Sequence, residues 1–281
     1  MIRADLHLHS VHSDGKYDVP HLLELLRGRD VTLAALTDHD TISGVGEALR
    51  EGRRLGMEII PAVELAAGFQ RQDESELHEV HILAYGIDCN NHDLLQLLDS
   101  RQNARRQRNL RIISRLRLLG FQVDEEQLTQ NSGSVGRPHI ARQLVESGQV
   151  KSFRRVFDDY IAEGKPAWRP RELQQVSQVC DTVHAAGGVT VLAHPLKNIS
   201  SDEMDQVVAM GFDGIEAIHP GHNARDTEQL QEFARTAGLF TTGGSDYHGQ
   251  GPYLRPDFDP SHLQAALRAV RKITINEETN A

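Results

Sequence analysis

Along this chain, short apolar or β-branched runs are each followed at once by charged or imidazole side chains. The runs lie at residues 2–6, 32–36, 58–63, 79–85, 188–192, 214–218 and 239–242. Amphipathic helical stretches fall between them, at 20–27, 44–55, 171–186, 226–237 and 261–270. This strand-then-helix order predicts parallel strands with helical crossovers, an α/β fold. About seven strands suit a barrel better than an open sheet, and the pattern admits both. From about 91 to 169 the strand signal stops, and helices are predicted at 93–119, 138–147 and 152–161. We therefore expect a barrel domain from 1–90 and 170–281, and a helical insertion over 91–169 that contributes to the substrate pocket.

The polar groups recur at the strand ends. His7, His9 and Asp14 follow the first run, and TDHD, with Asp38, His39 and Asp40, follows the second. Glu64 follows the third, and His81 lies inside the fourth. His194 sits in AHP, Glu216 in the sixth run, and Asp246 and His248 in GSDYHG. In a parallel barrel the C-terminal strand ends meet at one face, where active sites sit. His7 and His9 are two apart, so a strand points them the same way, with Leu6 and Leu8 turned to the other layer. Imidazoles and carboxylates without thiolates suit Zn, Mn or Fe. So many donors exceed what one tetrahedral ion needs, which predicts a cluster of two or three. Unrelated core histidines and caps are the alternative, and it weakens when the whole set stands at successive strand ends.

The net charge of −10 argues against a surface that coats nucleic acid. No long apolar run predicts a transmembrane helix, and the first residues lack a signal-peptide pattern. Cys89 and Cys180 have no CxxC partner and read as reduced. A cytoplasmic protein is the natural expectation.

HxH near the start, SDG, TDHD, a strand-end Glu, AHP and GSDxH together resemble the PHP (polymerase and histidinol phosphatase) family of metal phosphoesterases. The resemblance spans nearly the whole chain, the helical insertion included. Within the family it looks most like the branch of nucleoside 3′,5′-bisphosphate phosphatases and 5′→3′ exoribonucleases. It implies a distorted (β/α)7 barrel with a helical insertion, and three divalent ions, with Mn²⁺ foremost and Zn²⁺ or Fe²⁺ as alternatives. By that resemblance His7, His9, Glu64 and Asp246 hold one ion. Glu64 bridges to a second, held also by His81 and His194. Asp14, His39 and His248 hold the third. Some members carry His at the position of Asp14, and a carboxylate there shifts preference toward harder ions such as Mn²⁺. Asp5 and Asp38 read as supports that orient the imidazoles. Glu216 reads as a support or as substrate-facing, and His12 as facing solvent.

The implied chemistry is attack of a metal-bridging hydroxide on phosphorus. GSVGRP and SGVGE lack the spacing of a P-loop. His222 in HPGHN is the candidate proton donor to the leaving alkoxide, and Asp40 is a candidate for proton handling or substrate contact. Arg101, Arg105 and Arg108 fall at i, i+4 and i+7, with Ile112, Leu116 and Leu119 continuing as an apolar stripe. A solvated basic face is the alternative to substrate contact by Arg105 and Arg108. Arg137 and His139 stand at a predicted helix start, where Pro138 and free amides suit an anion. Lys197 follows AHP. Arg137 is the strongest phosphate ligand of this set, because its fork matches phosphate oxygens.

The expected substrates are nucleoside 3′,5′-bisphosphates, 5′-phosphorylated RNA ends, or both, with end recognition by local arginines. Neither a membrane nor an obligate protein partner is indicated. A small-molecule phosphatase, such as one for histidinol phosphate, is the first alternative. A non-catalytic metal-binding module is the second.

Overall fold

The computed structural model describes residues 3–71, 77–129, 133–197, 199–253, 255–265 and 267–268. Seven strands form one sheet in the order β1-β2-β3-β4-β5-β6-β7. They are β1 Ala4–Leu8, β2 Leu33–Leu36, β3 Glu58–Gln70, β4 Leu77–Tyr85, β5 Val189–Leu192, β6 Gly214–Ile218 and β7 Phe240–Gly243. The ring nearly closes where Leu8 bridges Tyr247 and the His9 N–H donates to the Tyr247 carbonyl at 3.1 Å. The helices are α1 Val19–Arg27, α2 Val45–Leu55, α3 His92–Leu118, α4 Glu125–Thr129, α5 Arg137–Glu146, α6 Phe153–Val156, α7 Val176–Ala185, α8 Met204–Val208 and α9 Ala224–Ala237. The helix expected over 261–270 falls partly outside the described residues.

The strand interiors fill the barrel with small and branched side chains. Ala4, Leu6, Ala35, Ala62, Leu83 and Val191 pack there beside Tyr85, whose hydroxyl donates to the Leu6 carbonyl at 2.8 Å. Outside, α1 covers β1 and β2 through Leu22, Leu23 and Leu26. The α7 residues Val176, Val179 and Val183 join a second outer layer with β3, β4 and β5.

One expectation fails in an informative way. β4 runs antiparallel to both β3 and β5. β3 continues past Glu64 to Gln70, which leaves six residues before Leu77. A parallel crossover needs about a dozen residues or more, so the chain returns as a hairpin. The N-terminal half of β4 therefore reaches the face where the other strands end, and His81 pairs with Ala66 there. Because β4 ends at the opposite face, α3 starts far from the predicted site. Its 27 residues span roughly 40 Å, which carries Arg105 and Arg108 back up to it.

A second correction concerns β1. Its pairing with β2 slips between Asp5 and Leu8, which marks a bulge. Leu6 consequently lies in the barrel interior, while Leu8 packs with the α1 residues. The two leucines do not share a layer, yet His7 and His9 still point together. The segment between β4 and β5 buries an apolar set of its own, including Ile112 and Leu116 of α3 and Ile140 and Leu144 of α5. Leu119, expected in that stripe, is 47% exposed.

Candidate metal centre and substrate cleft

Glu64 is the hub of the strand-end cluster. It is 1% exposed, and His7 Nε2, His9 Nε2 and His39 Nδ1 stand 3.3, 3.3 and 3.0 Å from its Oε2. His81 Nδ1 and His194 Nε2 stand 2.7 and 3.4 Å from its Oε1. Asp246 Oδ1 lies 3.4 Å from His7 Nε2 and 3.2 Å from His9 Nε2. Asp14 Oδ1 lies 3.2 Å from His248 Nε2, and Asp14 Oδ2 lies 3.9 Å from His39 Nε2. Donor atoms converge within 4.8 Å in three overlapping groups: His9, Asp14, His39 and His248; His7, His9 and Asp246; His39, Glu64 and His81.

The donor set fits divalent cations. His7 Nε2, His9 Nε2, Asp14 Oδ1, His39 Nδ1, Glu64 Oε2, His81 Nδ1 and His194 Nδ1 are buried without a hydrogen-bond partner. Buried polar atoms are rarely left in that state, and here they crowd one volume. The supporting groups leave these nitrogens available. Glu216 accepts from His7 Nδ1 at 3.0 Å and from the backbone N–H of His194 at 2.9 Å. Glu79 accepts from His81 Nε2 at 3.3 Å. Such outer carboxylates fix imidazole orientation at metal sites.

Asp5 and Asp38 work differently from the expectation. Among the described residues Asp5 bonds no imidazole ring. It accepts from the His7 backbone N–H at 3.3 Å, the Ser245 N–H at 2.9 Å and the Tyr253 hydroxyl at 2.7 Å, and so ties β1 to the loop that carries Asp246. Asp38 accepts from Ser10 N and Oγ, both at 2.7 Å, and from Ser13 Oγ at 2.5 Å. Ser13 in turn meets His9 Nδ1 at 3.4 Å, so Asp38 supports His9 at one remove. Nor is His12 free in solvent: it is half-buried, with Nδ1 3.0 Å from Ser43 Oγ and Nε2 3.7 Å from Glu47.

The backbone is bent to bring these groups in. Asp40, His194 and Asp246 hold positive φ of 53°, 30° and 49°, a conformation that costs about 1–3 kcal/mol per residue and concentrates at functional sites. The glycine of GSD is required by contact: a Cβ on Gly244 would collide with the His7 Cβ.

Beside the cluster opens a cleft of ≈ 800 Å³ whose wall includes His81 and His194. Arg108, Arg137, Arg171 and Lys197 line it, with Phe157 and Trp168. The other predicted substrate residues stand elsewhere. Asp40 is fully buried and accepts from Arg105 at 2.8 Å and Arg171 at 2.9 Å. It positions arginines, and its carboxylate is occupied. Arg105 spends its guanidinium on that bond. His139 closes the start of α5, its Nδ1 accepting from the Gly136 N–H at 3.1 Å. His222 Nδ1 donates to the Ala217 carbonyl at 3.1 Å. It is His219, from the same HPGHN segment, whose Nε2 reaches Asp246 Oδ2 at 3.3 Å.

A family model described as the PHP domain matches residues 5–164. The chain belongs to the PHP domain family. This PHP protein is 32% identical over 260 residues to the 5′-3′ exoribonuclease Rnm of Escherichia coli, covering 89% of this chain and 86% of that one. It is 30% identical over 259 residues to the 3′,5′-nucleoside bisphosphate phosphatase of Chromobacterium violaceum, covering 89% of each. A phosphoribosyl 1,2-cyclic phosphate 1,2-diphosphodiesterase of Eggerthella lenta is 32% identical over 250 residues, covering 88% of this chain and 94% of that one. Among solved structures, a Bifidobacterium adolescentis protein assigned as a metal-dependent phosphoesterase superposes with a TM-score of 0.84 at 28% identity, covering 94% and 95% of the two chains. The PHP protein is thus a phosphate-ester hydrolase whose donor set is built for divalent metals.

Sequence reasoning missed Glu79, Arg142, Arg171 and His219. Glu79 was open to view, since it stands two residues before His81 on one strand face. Arg171 was assigned to a helix start, whereas α7 begins at Val176 and Arg171 is buried against Asp40. Arg142 on α5 donates to the Asp14 carbonyl, a long-range contact with no local signal. Among the described residues, no helix is long and apolar enough to cross a membrane.

Without metal, protons take over part of the charge balance. Burial pulls the His9 imidazole down, but Asp246 and Glu64 outweigh it and lift it to about 10. Burial likewise opposes and Glu64 overrides at His81, raised to about 9. His7 is also raised, Glu216 and Glu64 overcoming its burial. Groups raised in the folded state stabilise it fully below their unfolded value, near 6.5, and that stability is lost as pH rises through 9 to 10. Metal needs the neutral imidazoles and binds better as pH rises. The gap in Tm between metal-loaded and EDTA-stripped protein should therefore widen from pH 6.5 to 9 in thermal melts. A constant gap would contradict these imidazoles as the metal-linked groups.

Proposed function

We propose that this PHP protein hydrolyses nucleoside 3′,5′-bisphosphates, and removes nucleotides from 5′-phosphorylated RNA ends through the same pocket. The observation that carries this reading is the cleft in which Arg108, Arg137, Arg171 and Lys197 stand beside His81 and His194. A substrate with two phosphates needs one phosphoryl group at the metals and a second anion site a few ångströms away. The cleft offers guanidinium forks for that second site, and Arg137 is the first of them. The names of the Escherichia coli and Chromobacterium violaceum relatives support the same substrates.

Three ions, with Mn²⁺ foremost, suit the donors in the sets His7, His9, Glu64 and Asp246; Glu64, His81 and His194; and Asp14, His39 and His248. When bound, such ions activate water and neutralise phosphoryl charge. Glu216, Glu79 and Ser13 hold the imidazoles in place for them. A histidine of HPGHN donates the proton to the leaving alkoxide, and His219 stands nearer the donors than His222. Residues 91–169 act as a helical insertion that completes the pocket. Cys89 and Cys180 are free thiols, in keeping with a reducing cytoplasm.

The test offers Mn²⁺-loaded protein adenosine 3′,5′-bisphosphate, 5′-phosphorylated RNA, the same RNA with a 5′-hydroxyl, and histidinol phosphate. Turnover of the first two and weak turnover of the last two are expected. Arg137→Ala should raise KM for the bisphosphate roughly tenfold or more at unchanged metal content. Turnover of histidinol phosphate alone would sink the proposal.

A further inference from the structure

Trp168 is the single tryptophan of the chain. It is half-buried in the wall of the cleft that opens on His81 and His194. It belongs to none of the buried apolar clusters formed by the described residues. The other aromatic of the wall, Phe157, is covered by the Arg137 guanidinium, 5.8 Å from its ring centre. Among the described residues no guanidinium lies over the indole. A half-buried indole that stands outside the apolar clusters and in the wall of a cation-lined cleft is placed to meet a ligand.

The indole is nevertheless firmly mounted. The Ala167 N–H donates to the Tyr160 carbonyl at 2.9 Å, and Arg108 Nε donates to the Arg169 carbonyl at 2.8 Å. Two residues on, Arg171 is buried against Asp40. Insertion and barrel thus grip the segment from both sides, so an aromatic surface is presented without the cost of ordering it on binding.

We propose that Trp168 stacks on the nucleobase of the substrate, so that the enzyme selects base-bearing phosphates without choosing among bases. The proposal rests on the nucleotide reading above and narrows it. Every base has a π-face, so stacking tolerates any of them. A baseless ribosyl phosphate, such as the cyclic phosphate in the name of the Eggerthella lenta relative, would gain nothing from the indole.

Trp168→Ala should raise KM for adenosine 3′,5′-bisphosphate about tenfold, with kcat and metal content unchanged. Trp168→Phe should recover most of the loss. Abasic ribose 3,5-bisphosphate should have the same KM with wild type and Trp168→Ala. Because the tryptophan is single, its fluorescence reports directly: AMP should quench it, and ribose 5-phosphate should not. An equal rise in KM for the base-bearing and abasic substrates would reveal a merely structural role and overturn the proposal. So would an unchanged KM, or fluorescence indifferent to AMP. If the bisphosphate is not hydrolysed at all, the nucleotide reading fails, and the AMP titration still decides the stacking.

Discussion

Glu64→Gln is expected to lower both metal content and turnover, the latter at least about a hundredfold. The amide keeps the size and shape of the carboxylate, so packing around β3 is retained. What changes is charge and donor sense. Both oxygens of Glu64 face imidazole nitrogens, three on Oε2 and two on Oε1. A glutamine must aim an N–H₂ at one of these sets, where a cation is also meant to lie. Burial alone would raise the Glu64 carboxyl, and His39, His81 and His7 reverse that and hold it well below its usual range. It therefore stays ionised across the physiological range. Metal analysis and activity on adenosine 3′,5′-bisphosphate check the prediction, with circular dichroism to verify folding. Full metal content with near-normal turnover would remove Glu64 from the centre of the site.

The residues of the candidate metal cluster were legible because each stands in or beside a strand that the pattern of apolar runs already marks. Strand ends gather at one face in any parallel barrel, so positions far apart in sequence could be placed together before any coordinates. The exceptions follow from what local pattern lacks. Fifteen residues separate the runs 58–63 and 79–85, enough for a parallel crossover, and ELAAGFQ carries no clear alternation that would extend β3 to Gln70. The antiparallel β4 was therefore missed, although His81 was not. Local pattern also cannot distinguish an arginine that faces a ligand from one that faces a buried carboxylate. Arg105 and Arg108 share a helix face, yet one bonds Asp40 and the other lines the cleft. Asp5 shows the same limit. Its partners Ser245 and Tyr253 lie some 240 residues away in the chain, beyond any local signal.

Asp40 is where the sequence and the structure differ most in consequence, and Asp40→Asn separates them. Asp40 follows TDH directly and was a natural candidate for substrate contact. In the structure it is fully buried, with Arg171 at 2% side-chain exposure and Arg105 at 11%. Burial alone would raise its carboxyl, and Arg171 and Arg105 instead hold it well below its usual range. Removing one member of a buried ion pair leaves the other charge uncompensated and costs about 3–5 kcal/mol. Here two guanidinium groups lose their partner. Asparagine tolerates the positive φ of 53°, so the loss reports charge and not backbone strain. For a chain of this size the drop in Tm should be on the order of 10 °C. The sign of the pH dependence is fixed: a carboxyl depressed in the folded state stabilises above its unfolded value, near 3.8, and loses that effect as pH falls through the folded one. Wild type and Asp40→Asn should thus differ at neutral pH and converge in strong acid. KM should rise as well, since Arg171 lines the cleft and Asp40 fixes it there, while metal content stays whole. A variant with normal Tm and a raised KM alone would restore Asp40 to the substrate, because only a carboxylate free of its arginines can be lost without cost to the fold.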